Sequence, residues 1–176
     1  MFRENIATII VWDITNSTGY LLRGDNTTAE LIKCLNDLCE QAEKFGFDLL
    51  VPRGDGALMA KNGTCPLEAV LAAITMYRVF VNKHRELGLI RITISSGRVT
   101  WARLRGFEKP LPFGIPVNQA SCLCDRSPRD FSVLTISDNL MASVDCVLPE
   151  ELQTTTISLP KFEEPYHLGH CFRLAE

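Results

Sequence analysis

The stretch Ile6–Thr18, IATIIVWDITNST, decides how this chain is read. From Ile6 to Trp12 it is an almost uninterrupted apolar run rich in β-branched side chains, which suits a central strand buried on both faces. Asp13 then places a carboxylate where the pattern asks for another hydrophobe. An unpaired buried charge is costly, so a partner is expected, and a divalent cation is one candidate. Thr15, Asn16, Ser17 and Thr18 follow, residue types that start helices and leave backbone N–H groups free. A helix start beside a carboxylate can hold a metal and a phosphate together. A plain strand-to-helix turn, with Asp13 accepting nearby N–H bonds, is the alternative.

Working outward, Thr27-Thr28-Ala29-Glu30 has the spacing of a capping box. It introduces a helix with Leu31, Leu35, Leu38, Ala42 and Phe45 on one face, stopped near Gly46. Residues 47–51 and 57–60 read as two strands joined by Pro52-Arg53-Gly54-Asp55-Gly56, a tight turn. Pro66 opens a second long helix carrying Leu67, Val70, Ile74, Tyr77 and Val81 at helical spacing until Gly88. Residues 89–95 and 99–102 are expected to form a strand pair around Ser96-Gly97-Arg98, and residues 103–116 an irregular projecting arm. A short helix over about 117–124, a strand over 131–136, a small helix capped by Ser137, and strands over 154–159 and 166–174 complete the reading. The leading β-α-β-β-α-β order is the split-βαβ, ferredoxin-like arrangement. It predicts an α+β sandwich whose two long helices cover one sheet face, as a single domain over residues 1–176.

Composition narrows the partners. The net charge is −3 with scattered basic residues, so no nucleic-acid surface is expected. No run is long enough to span a bilayer, and MFRENIATII is too short in its apolar part for a signal peptide. The 7 cysteines are mostly set in apolar patterns, as at Cys34, Cys39 and Cys146, which suits reduced thiols in a cytoplasmic protein. Cys122-Leu123-Cys124 lacks zinc-knuckle spacing. Arg53-Gly54-Asp55 and Arg23-Gly24-Asp25 spell an adhesion tripeptide, which the reduced-looking thiols argue against.

In the split-βαβ order the first strand is central and the hairpin beside it brings Asp55 near Asp13. Gly54 and Gly56 permit a sharp turn and a close ligand approach. Two carboxylates converging without a nearby lysine repel each other, and divalent cations resolve that repulsion. Two such ions can run phosphoryl transfer. Asp-Gly is also common in hairpins, so Asp55 as a mere turn residue stays open.

Three blocks give the chain a likeness to a known family: Val11-Trp12-Asp13-Ile14-Thr15-Asn16-Ser17-Thr18, Arg53-Gly54-Asp55-Gly56, and Gly114-Ile115-Pro116-Val117-Asn118-Gln119-Ala120-Ser121. In order and spacing they resemble the catalytic domain of the class III nucleotidyl cyclases over about residues 6–174. The resemblance implies two metal ions, Mn2+ or Mg2+, on Asp13, the Ile14 carbonyl and Asp55. It also implies backbone at Thr15, Asn16, Ser17 and Thr18 holding the triphosphate, Asn118 orienting the ribose, and a head-to-tail homodimer with active sites across the interface. The implied reaction makes a 3′,5′-cyclic nucleotide and pyrophosphate.

The departures from the family carry as much meaning. The base-selecting lysine of purine cyclases falls on Val51 and its polar partner on Leu111, while the arginine expected after Asn118 is Cys122. Lys161 loosely matches a late phosphate-binding lysine. Arg53 is an added cation, positioned either to read a base or to replace the lost arginine. Metal residues kept and purine readers lost, with an RGDG turn, is similar to the pyrimidine cyclases of bacterial Pycsar antiphage systems, which signal to a separate cyclic-nucleotide-responsive effector. The expectation is therefore a pyrimidine nucleotide cyclase, UTP favoured over CTP. The alternatives are an adenylate or guanylate cyclase with an atypical base pocket and a catalytically inactive nucleotide-binding domain.

Overall fold

The computed structural model describes residues 3–22, 24, 26–144, 148 and 154–174. Strand β1 (Arg3–Thr15) lies inside an eight-stranded sheet, and its two faces explain the apolar run. Ile10, Trp12 and Ile14 point into one core, while Ala7, Ile9 and Val11 point into a second on the opposite face. Burial on both sides removes the polar alternation of a surface strand.

Helix α1 (Ser17–Leu21) leads to α2 (Thr27–Glu43), then the hairpin β2 (Asp48–Pro52) and β3 (Gly56–Asn62), then α3 (Pro66–Lys83). Strands β4 (Leu89–Ala102) and β5 (Leu111–Phe113) precede α4 (Ile115–Arg126), β6 (Val133–Ser137), α5 (Asp138–Val144), β7 (Thr154–Ser158) and β8 (Leu168–Arg173). The sheet order is β2-β3-β1-β4-β6-β8-β7, with β5 beside β4; among the described residues only the β4–β6 pair is parallel. Helices α2 and α3 bury Leu31, Leu38, Ala73, Met76 and Phe80 on the Trp12 face, whereas α4 covers the Val11 face through Ala120 and Cys124. This is the expected α+β arrangement with β1 central.

Four local expectations need correction. Thr27 does not close a capping box: Asn26 is the N-cap with no side-chain bond, Thr27 Oγ1 donates to the Gly24 carbonyl at 2.6 Å, and Glu30 instead accepts from Tyr20 Oη. Helix α3 turns its small and aromatic residues inward and leaves Leu67 exposed, because Ala69, Ala72 and Ala73 let it approach the sheet closely. Residues 89–102 are one strand, not a pair. The register Ala7↔Gly97 and Ile6↔Arg98 carries β1 pairing straight through the supposed turn. Gly97 is required by crowding, since a Cβ there would lie 2.5 Å from Tyr166 Oη and 2.9 Å from Pro116 Cγ. Ser137 ends β6 with its buried Oγ lacking a hydrogen-bond partner among the described residues, so it does not cap α5.

The arm also gains structure. Leu111–Phe113 pairs with β4 (Ala102↔Leu111), and Lys109 bridges to Asp48 on β2 at 2.8 Å, tying the arm to the hairpin. Cys34, Cys39, Cys65, Cys122, Cys124 and Cys171 are free thiols, and burial pushes Cys34 up to about 12 and Cys39 to about 11. Cys146, Arg23 and Asp25 lie outside the described residues. Among the described residues, no helix is long and apolar enough to cross a membrane.

Candidate active site

Asp13 sits at the last residue pair of the β1–β3 ladder. It pairs with Gly56, and the Ile14 N–H donates to the Asp55 carbonyl at 3.1 Å. Asp13, Ile14 and Asp55 are thereby held within a single ladder step. In an antiparallel strand a residue's N–H and C=O point to the same side, so the Ile14 carbonyl faces the hairpin turn. Gly56 makes this approach possible: a Cβ there would lie 2.8 Å from Asp13 Cα and closer still to the Trp12 carbonyl oxygen.

Beyond the strand, Asn16 takes a left-handed conformation (φ 70°), accessible to Asn at modest cost, and α1 starts at Ser17. The buried Ser17 Oγ donates a short hydrogen bond to Asp55 Oδ2, so the turn after β1 and the hairpin turn grip each other. Asn16 and Thr18 are exposed at the same bend. Thr15, two residues beyond Asp13 on the same strand face, has a buried Oγ1 with no hydrogen-bond partner among the described residues.

The partner of Asp13 is a residue that the sequence argument passed over. Arg91, directly across on β4, is 4% exposed. Its Nε donates to Asp13 Oδ1 at 2.8 Å and its Nη2 makes a shorter bond to Oδ2, a two-pronged pair. Nη1 reaches the Asp125 carbonyl on α4 at 3.4 Å, and the Cys124 thiol lies 3.7 Å from Asp13 Oδ1. Burial works against the guanidinium charge, but the bonds and charge of Asp13 outweigh it, so the Arg91 pKa is raised. Burial, then the Asp13 charge, pushes the Cys124 thiol up to about 12. The expectation that two carboxylates without a nearby lysine are left to repel each other is thus corrected: Arg91 neutralises Asp13 in the protein itself. The signal was present, since an arginine inside Leu89–Ile94 breaks an apolar strand as Asp13 does.

The donors still fit a hard divalent cation. The Asp13 and Asp55 carboxylates and the Ile14 carbonyl are all oxygen, the donor type Mg2+ and Mn2+ prefer. An ionised carboxylate offers about four lone-pair positions. Arg91 takes two on Asp13, Cys124 faces a third, and Ser17 takes one on Asp55. The buried, unpartnered Thr15 Oγ1 adds unspent polarity at the same strand end. Among the described residues, no cluster of three or more His, Cys, Asp and Glu side chains forms, so these two carboxylates would carry the protein's share of the charge.

Other expected residues are distributed over the open α4 face. Asn118 is exposed on α4, one turn before Ser121, whose Oγ accepts from Arg53 Nη1 at 3.2 Å. Arg53 therefore reaches α4 beside Cys122. Val51 packs on the second core, and Leu111 is 8% exposed on β5. Lys161 lies in the exposed turn between β7 and β8, and among the described residues no hydrogen bond or ion pair joins it to Asp13 or Asp55. Gln119 anchors α4, accepting from Ser95 Oγ at 2.5 Å and donating to the Tyr166 carbonyl at 2.8 Å.

No protein-family model and no curated protein sequence matches the chain. Solved structures do. The adenylyl cyclase CyaB from P. aeruginosa superposes with a TM-score of 0.79 at 19% identity, covering 100% of this chain and 97% of that one. A dimeric guanylyl cyclase domain of the RhoGC fusion protein from Blastocladiella emersonii gives 0.76 at 20% identity, over 97% and 96%. The guanylate cyclase domain of RhGC from Catenaria anguillulae, solved with GTP, gives 0.74 at 22%, over 98% of each chain. The fold is that of the adenylyl and guanylyl cyclase catalytic domains.

Proposed function

We propose that this chain is a single-domain nucleotidyl cyclase acting on a pyrimidine nucleoside triphosphate. The observation that carries the reading is the convergence of Asp13, Ile14 and Asp55 within one ladder step, beside the Asn16–Thr18 bend. When bound, two divalent ions supply Lewis acidity to the attacking 3′-oxygen and to the phosphates. The 3′-hydroxyl oxygen forms a bond to the α-phosphorus, the bond from that phosphorus to the β-phosphate bridging oxygen breaks, pyrophosphate leaves, and the hydroxyl proton passes to solvent. Asp13 and Asp55 hold the ions, backbone at residues 15–18 cradles phosphates, and Asn118 orients the ribose. Lys161, far along the chain, is assigned to phosphate charge.

Base selection follows from what the pocket lacks. Val51 and Leu111 present only carbon, so a purine's polar edge would be left unpaired, at about 1–3 kcal/mol per group. The Arg53–Ser121 contact draws the guanidinium to α4, which supports a phosphate role in place of the missing arginine at Cys122. A preference for UTP over CTP then rests on the donor-only edge of Arg53 alone, whereas Val51 and Leu111 favour either pyrimidine. The resemblance to Pycsar cyclases extends it to a cytoplasmic antiphage signal read by a separate effector. With Mn2+ or Mg2+ and all four nucleotides in competition, UTP or CTP is expected to be cyclised at least about tenfold faster than ATP or GTP. Cyclisation of ATP or GTP at least as fast as both pyrimidines would instead mark a purine cyclase with an atypical pocket.

The proposal includes a homodimer. Leu104, Phe107, Phe113 and Ile115 are exposed on and after the arm, an apolar group of the kind that interfaces cover. Leu111, on the same arm, is instead buried within its own subunit. Phe107→Glu with Phe113→Glu is expected to shift a sedimenting dimer to monomer and remove activity together. A fully active wild-type monomer at micromolar concentration would defeat this.

A further inference from the structure

We propose that Arg91 is a built-in counter-ion that holds the free protein's affinity for divalent cations low, so that the ions bind strongly only together with a triphosphate. The inference rests on the metal-binding reading of Asp13 and Asp55 and concerns a residue that reading does not use.

The guanidinium meets Asp13 through both carboxylate oxygens, so a cation approaching Asp13 encounters a neutral pair and, a few ångströms behind it, a like charge. That like charge opposes a divalent ion strongly in a partly desolvated site. Arg91 cannot retreat into solvent: it is 4% exposed, and Nη1 is engaged at the Asp125 carbonyl on α4. Asp55, which accepts from the neutral Ser17 hydroxyl, remains the uncompensated carboxylate among the described residues. A triphosphate brings several negative charges to the adjacent bend, outweighing the guanidinium and completing the oxygen shell. Binding of metal and nucleotide is then reciprocally linked, each strengthening the other by the same factor. The pair also keeps the Asp13 carboxylate aligned before any ion arrives, which makes Arg91 a positioning residue.

The test measures Mn2+ affinity without nucleotide, from the free-ion electron paramagnetic resonance signal, for wild type, Arg91→Met and Asp55→Asn, with melting curves for each. Arg91→Met is expected to bind Mn2+ at least about tenfold more tightly than wild type, and Asp55→Asn more weakly. A merely structural role for Arg91 would instead loosen the site. Unchanged or weaker affinity in a folded Arg91→Met overturns the proposal. If Arg91→Met fails to melt cooperatively, Arg91→Gln replaces it, removing the charge while keeping an N–H donor for Asp13; it must bind Mn2+ at least about threefold more tightly, and no gain overturns the proposal. Failure of both variants to fold makes Arg91 a fold element and overturns it as well. Cyclic product is scored separately. Tighter Mn2+ binding without any product leaves this inference standing and removes the functional reading, whereas product with unchanged affinity does the reverse.

Discussion

Asp55→Ala is expected to lower cyclic-nucleotide formation by about a thousandfold or more while leaving the melting temperature close to wild type. Asp55 lies at a partly exposed turn and its carboxylate accepts from Ser17 Oγ, so removing it strands a hydroxyl and no charge. Asp13→Ala should abolish turnover equally but behave differently on unfolding. It leaves the Arg91 guanidinium, 4% exposed, without a carboxylate. Breaking a buried pair in this way costs about 3–5 kcal/mol, and the low end applies because the Asp13 side chain is 24% exposed. The sequence alone predicts that both alanine variants keep their fold intact; the ion pair separates them. Urea unfolding of the two variants beside wild type checks this. Equal stability would show that the pair does not hold in solution, and near-native activity of either at saturating metal would remove the two-carboxylate assignment.

Gly56→Ala is the second large effect, and it acts through the backbone. The new methyl would fall inside contact distance of the Trp12 carbonyl oxygen and 2.8 Å from Asp13 Cα. Neither backbone can yield without opening the Trp12↔Ala57 and Asp13↔Gly56 pairs that align the two aspartates. A loss of about 3 kcal/mol or more in stability, with turnover down by at least about a hundredfold, is expected. Gly54→Ala, two residues away, is the control. It has nothing within 4 Å and carries only the cost of its positive φ of 78°, about 1 kcal/mol. Thermal melts and turnover of the two variants side by side separate crowding from conformational strain. Similar behaviour of both would mean that the hairpin tolerates displacement.

The sequence by itself determined the sandwich, because the signals it needs are local and periodic. Ile6–Trp12 reads as a doubly buried strand, Leu31 to Ala42 as one helix face, although Phe45 falls in the turn after the helix, and Pro52–Gly56 as a hairpin turn; together they place Asp13 beside Asp55. It failed where a local signal was outvoted by neighbours distant in the chain. Ser96-Gly97-Arg98 has turn composition, yet β1 supplies pairing on one edge and Tyr166 with Pro116 crowds the glycine, so the strand runs on. Thr27 fails for a local reason: its hydroxyl donates to the Gly24 carbonyl three residues earlier and caps no helix N–H. Which charge would answer Asp13 was likewise undecidable along the chain: Arg91 is 78 residues away and becomes its partner only through the β1–β4 register. The same holds for Arg53, whose reach to Ser121 on α4 depends on the packing of that helix over the sheet. Periodicity determines elements because burial is repeated at every turn or pleat, whereas a single charge contributes one contact whose partner is chosen by register and packing.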